Sequence, residues 1–364
     1  MANSARPATL RDVATAAGVH PATASRALNP GTRPLVSEDT AQRVAEAAAR
    51  LGYQPNPVAR SLRTRRSNTI GVLIPDLNNP LFPPIVRGIE DRLAEHGYVA
   101  LLGNTDTDLA KERLVFDQLR ARHVDGFVLA TATAGSPVLA EAAAAGVPLV
   151  LVNRTSQDFP FSSVSVDNEQ GVWAAVAHLA ALGHRRIGHI AGPQDASTGA
   201  LRLRGFQAAM AGHGFPLSGA GVSYASAYSL DEGTRCGLDL LRGPAGGAGG
   251  VTAVVAANDM LAIGCYAALD ELGLRCPDDI SVVGFNDMPF VDRLRPALTS
   301  VRFPHYQLGT EAATLLIERI EAVDRPVKIT FLAPELIARG SSRLAAGAPG
   351  ASGAIALRQS RDSA

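Results

Sequence analysis

From residue 69 onward the chain repeats one pattern, a short, mainly apolar run followed by a longer amphipathic stretch. The runs are Ile70 to Ile74, Tyr98 to Leu102, Phe127 to Ala130, Leu149 to Val152, Val164 to Val166, Ile187 to Ala191, Val254 to Ala256 and Ile280 to Val283. A strand that is apolar on both faces must be covered on both faces, and strands joined through helices pair in parallel. The pattern therefore predicts parallel sheets between layers of helices, joined by right-handed crossovers. It runs on too long for one such sheet, so two doubly wound lobes with a cleft between them are expected. Ligands of open parallel sheets bind beyond the carboxyl ends of the strands, which for facing lobes is that cleft.

Residues 9–52 obey a different rule, with apolar residues at helical spacing in three short stretches. Tyr53-Gln-Pro-Asn-Pro57 then breaks the pattern, because neither proline donates a backbone N–H and each restrains the residue before it. Charge divides at the same place. Residues 1–66 carry ten arginines against Asp12, Glu38, Asp39 and Glu46, a net of +6, so the remainder of an overall neutral chain carries −6. A basic head suits a polyanion, since arginines neutralise phosphates and release condensed counterions; the bland alternative is a solvated basic tail.

With 46% apolar and 19% charged residues, the chain has the composition of an ordinary soluble protein. No stretch reaches 18 consecutive apolar residues and the first 30 residues lack the pattern of a secretory signal, so a cytoplasmic protein without a membrane partner is expected. Cys236, Cys265 and Cys276 form neither an even framework nor a CxxC pair and read as reduced and structural. His178, His184 and His189 lack HExxH or paired-cysteine spacing, so neither a metal nor a cofactor is expected. There is no GxSxG, no P-loop and no GxGxxG at the first strand, which argues against an enzyme.

Thr9-Leu-Arg-Asp12 has the form of a capping box, so a helix starts at Leu10. Leu10, Val13 and Ala17 share a face, Gly18-Val19 supplies a tight turn, and Pro21 opens a second helix at the position where proline costs no hydrogen bond. This is the outline of a helix-turn-helix, whose second helix enters the major groove. On it, Arg26 suits a guanine edge, Thr23 and Ser25 suit phosphates, Ala22 suits a thymine methyl, and Asn29 lies just beyond; His20 and Pro21 begin the helix.

The stretches TLRDVATAAGVHPATASRALN and VSEDTAQRVAEAAARLGYQPNPVARSLRT resemble, almost position by position, the head of the lactose-repressor and galactose-repressor (LacI/GalR) family. The resemblance implies that Thr9, Leu10, His20, Pro21, Ala22 and Arg26 face DNA, with Val44, Ala48 and Leu51 supporting them from a third helix that begins at Ser37. It further implies a hinge helix over Asn56 to Leu62, including Ala59, that orders on the operator. Leu62 would then wedge into the minor groove and bend the duplex. One such head reads a half-site, so a homodimer on a near-palindromic double-stranded operator is expected. Pro21 and Ala22 depart from relatives with hydrogen-bonding side chains, which leaves the operator sequence open.

The resemblance continues to about residue 343 through IGVLIPDLNNPLF, VPLVLVNR, LGHRRIGHIAGP, RLRGF, AANDMLAIG and ISVVGFNDMPF. It implies a periplasmic-binding-protein-like sensor of two doubly wound parallel-sheet lobes behind an all-α helix-turn-helix head. The expected layout is a head at 1–55, a hinge and linker at 56–67, a sensor at 68–343 and a disordered tail at 344–364. Within the sensor the near lobe is expected at about 68–163 and 291–324, and the far lobe at about 164–290 and 325–343. The resemblance also implies an effector site in the cleft. Leu81 and Phe82 would form an apolar wall, Asn153 a polar contact, and Arg202 a fork for vicinal hydroxyls or a carboxylate. Tyr228 would stack, Asn258 would bond, and Asn286 stands where relatives carry aspartate. Asp167 and Asn168 read as turn and cap residues. A repressor controlled by a carbohydrate-like effector follows, with induction and corepression both open; the rival classes are a sugar-binding protein without a DNA role and an enzyme.

Overall fold

Thr9 starts the first helix by capping it. Its hydroxyl accepts from the N–H of Asp12 (3.4 Å) while its own N–H donates to the Asp12 carboxylate (2.8 Å), the reciprocal box expected from the sequence. Helix α1 (Leu10–Ala16) gives way at Gly18, where φ is 65° and a side chain would be strained. Helix α2 (Pro21–Ala27) begins with its proline, and α3 (Glu38–Leu51) follows. Ala41, Val44, Ala47 and Ala48, spaced three and four apart on α3, pack against Val13, Ala14 and Ala24, and these small side chains let three helices share one core. Leu51 departs from expectation and stands 38% exposed. Helix α3 is 14 residues long against seven for each of its neighbours, so its last turn outruns the core.

The structure, a computed structural model, describes residues 8–29, 31–54, 66–216, 221–242, 250–322 and 324–345. It divides between Ser67 and Asn68 into two units. The second unit contains two six-stranded sheets. Strands β1 (Thr69–Ile74), β2 (Val99–Asn104), β3 (Gly126–Leu129), β4 (Leu149–Val152), β5 (Ser162–Val166) and β11 (Ile329–Leu332) make the near sheet, all parallel, in the order β11-β5-β4-β3-β1-β2. Strands β6 (Ile187–Ala191), β7 (Val222–Tyr224), β8 (Ala253–Ala256), β9 (Ser281–Asn286), β10 (Thr299–Arg302) and β12 (Glu335–Ile337) make the far sheet in the order β12-β10-β9-β8-β6-β7. Only the edge strand β12 runs antiparallel, against β10.

The helices between strands are α4 (Phe82–Glu95), α5 (Leu109–Ala121), α6 (Pro137–Ala144), α7 (Asn168–Ala181), α8 (Ser197–Gly212), α9 (Leu230–Arg242), α10 (Asp259–Glu271) and α11 (His305–Glu321). Helices α4 and α11 cross at Gly88 and Gly309, where a Cβ on Gly88 would collide with the Tyr306 carbonyl and one on Gly309 with the Ile85 carbonyl.

The chain passes between the lobes three times, after β5, after β10 and after β11. This corrects the expected lobe boundaries. Residues 164–166 and 329–332 belong to the near sheet, and 299–302 to the far sheet, because β11 pairs with β5 while β10 pairs with β9. The expected tail also begins later than residue 344. Ala345 is buried and its N–H donates to Leu182 (2.9 Å); residues 346–364 lie outside the described residues.

Candidate functional site

Two sites emerge, one in each unit. In the head, the His20 Nδ1 accepts from the Ala22 N–H (3.2 Å), which caps α2. Ala24 and Ala27 turn into the core, and His20, Ala22 and Arg26 are exposed, with Pro21, Thr23 and Ser25 half-buried between them. The helix therefore offers one face to a partner and one to its own core. Thr9 is occupied as a cap, Leu10 is packed against the head core, and Asn29 holds a turn by accepting from the Gly31 N–H (3.2 Å). Arg43, which the sequence did not single out, donates to the Ala17 carbonyl (3.2 Å) and ties α3 to the turn. Asn56, Ala59 and Leu62, the expected hinge contacts, lie outside the described residues.

In the body, loops at the carboxyl ends of both sheets enclose a cavity of about 390 Å³. Leu81, Phe82, Asn153, Arg202, Tyr228, Asn258 and Asn286 all line it. Leu81 and Phe82 reach it where β1 hands over to α4, and both are buried. Asn153 follows β4 with φ at 64°, a left-handed conformation that asparagine tolerates, and its buried Oδ1 has no hydrogen-bond partner. Across the cleft the Tyr228 hydroxyl is 3.0 Å from Thr198 Oγ1. Asn258 Oδ1 accepts from the Leu261 N–H (2.9 Å) and so caps α10, which leaves its amide N–H groups for the cleft.

Arg202 is 2% exposed and held from three sides. Nε donates to Asn168 Oδ1 (2.8 Å), Nη1 to the Ala257 carbonyl (2.5 Å) and Nη2 to Asn286 Oδ1 (3.3 Å), while its guanidinium lies 3.7 Å from the centre of the Phe285 ring. Burial lowers its pKa to about 10, so it stays charged at neutral pH. Asn168 was expected to serve as a turn or cap residue. The cap of α7 is instead Asp167 alone, which accepts from the Gln170 N–H (3.0 Å), and Asn168 is buried as the positioning partner of Arg202.

The carboxyl end of β9, which presents Asn286, is fixed from below. Asp287 pairs with Arg302 and Arg339, each at 2.6 Å. Buried Asp259 accepts from the Met288 N–H (2.8 Å) and the Ser300 hydroxyl (2.6 Å), and desolvation pushes its pKa up to about 7. Arg154, also absent from the expected site, lines the cleft beside Asn153. Between the lobes the Ala134 N–H donates to the Asp195 carbonyl (2.8 Å) and the Thr155 N–H to Ser197 Oγ (3.0 Å).

The tempting histidines hold the far lobe together. His178 meets Ser342 (2.8 Å), His184 meets Thr252 (2.8 Å) and the Arg343 carbonyl (3.0 Å), and His189 meets the Val255 carbonyl (2.8 Å). Among the described residues no three potential ligands cluster for a metal, and no helix is long and apolar enough to cross a membrane.

Residues 9–56 match the family model described as bacterial regulatory proteins, lacI family, and residues 176–342 match a periplasmic binding protein-like domain. The chain is 32% identical over 340 residues to the HTH-type transcriptional repressor CytR of Escherichia coli (strain K12), covering 92% of this chain and 96% of that one. Among solved structures it resembles a transcriptional regulator CelR–cellobiose complex (32% identity, TM-score 0.69, 92% of this chain and 100% of that one). It also resembles a Lac repressor dimer bound to operator and the anti-inducer ONPF (28% identity, TM-score 0.79, 93% and 100%). The likeness runs through head and body alike, and the chain belongs to the lacI family of bacterial regulatory proteins.

Proposed function

We propose that this protein is a repressor that binds a near-palindromic operator as a homodimer and is controlled by a small carbohydrate-like effector held in the cleft. The observation that carries the reading is the pairing of a capped recognition helix, exposing His20, Ala22 and Arg26, with a cleft lined by both polar and apolar side chains in the same chain. A single head covers a few base pairs, so two related by a two-fold axis give useful specificity. The near-sheet edge supports a second copy: Val99 and Leu102 on edge strand β2, with Leu109 and Leu114 on α5, are exposed apolar side chains. Relatives solved with cellobiose and with operator point the same way.

In the proposed mechanism Arg26 reads a base edge while Thr23 and Ser25 hold phosphates. The effector bonds Arg202, Asn258 and Asn286 on the far lobe and Asn153 on the near lobe, with Tyr228 and Phe82 against its apolar face. Because it touches both lobes, its binding free energy depends on the angle between them, which gives the differential affinity that coupling to DNA requires. The test is selection of bound fragments from genomic DNA, followed by gel shifts at fixed ionic strength with and without sugars. The expected result is a two-fold symmetric site whose occupancy a sugar-like ligand changes. Equal binding to random duplex under every condition overturns the repressor reading, and indifference to every ligand overturns the sensor reading.

A further inference from the structure

Two buried cations line the cleft, and among the described residues neither makes an ion pair, although Glu112 and Asp195 attract Arg154 and Asp259 attracts Arg202 from a distance. Arg154 is 5% exposed, and its Nη1 donates to the carbonyls of Thr131 (3.0 Å) and Ala132 (3.0 Å). The hydrogen bonds of Arg202 likewise end on neutral oxygens. Among the described residues no carboxylate lies within ion-pair distance, 4.0 Å, of either guanidinium. Burial lowers the pKa of both, so each charge is held against desolvation. A guanidinium carries five N–H groups, of which Arg154 uses two on the carbonyls and Arg202 three, leaving donors on both for a ligand.

The acids nearby do not fill that role. Asp106 pairs with Lys111, while Asp76 and Asp195 stand at the wetter rim, where water screens them. Glu112, buried on α5, attracts Arg154 through space but does not reach ion-pair distance, and its carboxylate accepts from the Thr131 hydroxyl. Next to Arg154 in sequence, the buried Asn153 Oδ1 lacks a donor. The floor therefore asks for two things in one molecule, an anion for Arg154 and a hydroxyl for Asn153.

Building on the effector reading above, we propose that the ligand is a hydroxylated anion, a sugar acid or sugar phosphate, with its anionic group on Arg154 and a hydroxyl donating to Asn153 Oδ1. The test uses the full-length protein in a buffer free of phosphate and carboxylate. Calorimetry and thermal shift are read with inorganic phosphate, acetate, glucose, gluconate and glucose 6-phosphate, with gel shifts to a selected operator in parallel. Saturable stabilisation by phosphate or by acetate is expected, and which of the two acts tells a phosphate subsite from a carboxylate one. Arg154→Gln should weaken that anion roughly tenfold to a hundredfold, Arg154→Lys should restore part of it, and Arg204→Gln, on the outer face of α8, should leave it unchanged. Asn153→Ala should weaken gluconate or glucose 6-phosphate but leave the bare anion alone, a result that a general loss of folding cannot produce.

Absence of saturable anion binding, or identical binding in Arg154→Gln folded to the wild-type melting temperature, overturns the proposal. If neutral glucose binds and shifts operator affinity while the anions do not, the sensor reading stands and this assignment falls. If no sugar or anion in the series binds or shifts operator affinity, both fall.

Discussion

Replacing Asp259 by asparagine should reshape the pH dependence of folding in a direction fixed by its surroundings. The carboxyl is fully buried, and desolvation moves it from an ordinary 3.8 up to about 7 in spite of hydrogen bonds from Ser300 and Met288. The folded chain thus holds this proton more tightly than the unfolded chain. Its contribution to stability is fully present below the unfolded value and is lost as pH rises through about 7. At about 1.36 kcal/mol per pH unit the loss is about 4 kcal/mol. His178, His184, His189 and His305 act in the opposite sense: burial lowers their pKa values, His189 to about 4, so stability from them rises as pH climbs toward 6.5.

Wild type alone therefore shows a blurred profile, whereas the difference between wild type and Asp259→Asn isolates the carboxyl. Asparagine can keep both contacts, accepting from Met288 and donating to a reversed Ser300 hydroxyl. Urea unfolding from about pH 5 to about pH 8 should show wild type losing about 2.7 kcal/mol relative to the variant, because only the two pH units between 5 and the folded value of about 7 fall in that range. A difference that stays constant across that range refutes the assignment of a raised pKa to this buried carboxyl.

Arg26→Ala leaves the urea midpoint of the protein unchanged, because the side chain is exposed, but weakens operator binding by about 1–3 kcal/mol and relaxes preference at one base pair, as read by gel shift on a randomised half-site. Arg202→Met strands oxygens on Asn168, Ala257 and Asn286 while relieving a buried charge. The two effects oppose, so folding stability falls by less than about 3 kcal/mol in urea titration while ligand-dependent release or recruitment of operator disappears. Gly309→Ala drives a methyl into the Ile85 carbonyl and lowers stability by about 1–3 kcal/mol, measured by thermal melting; an unchanged melt contradicts the tight crossing of α4 and α11.

The readability of this fold from its sequence follows burial. Strands covered on both faces, such as β3, β4 and β8, are unbroken apolar words and stand out. The edge strands β7, β11 and β12 have only exposed and half-buried residues, and nothing in so few residues separates them from loop. Lobe membership is hidden for a different reason: both sheets use one periodicity, so periodicity does not tell which sheet a strand joins. At the cleft, positions directly after strands were accessible to reasoning because ligands gather there. Asn168 and Asp259 were not, since their partners lie far along the chain: Arg202 is 34 residues from Asn168, and Ser300 is 41 from Asp259. Arg154 follows a residue that was singled out, and only its two carbonyl contacts show that it turns inward.

The threefold passage of the chain between lobes has a consequence for biosynthesis. The near lobe cannot be completed when its first five strands have left the ribosome, because α11 and β11 are translated only after almost all of the far lobe. During that interval β5 presents an unpaired edge and α4 lacks the helix that crosses it at Gly88 and Gly309. Synonymous changes that slow translation between residues 166 and 329 should therefore prolong an aggregation-prone nascent state without altering the finished protein, and a truncation before residue 329 should leave a half-built lobe for proteases and chaperones to sort.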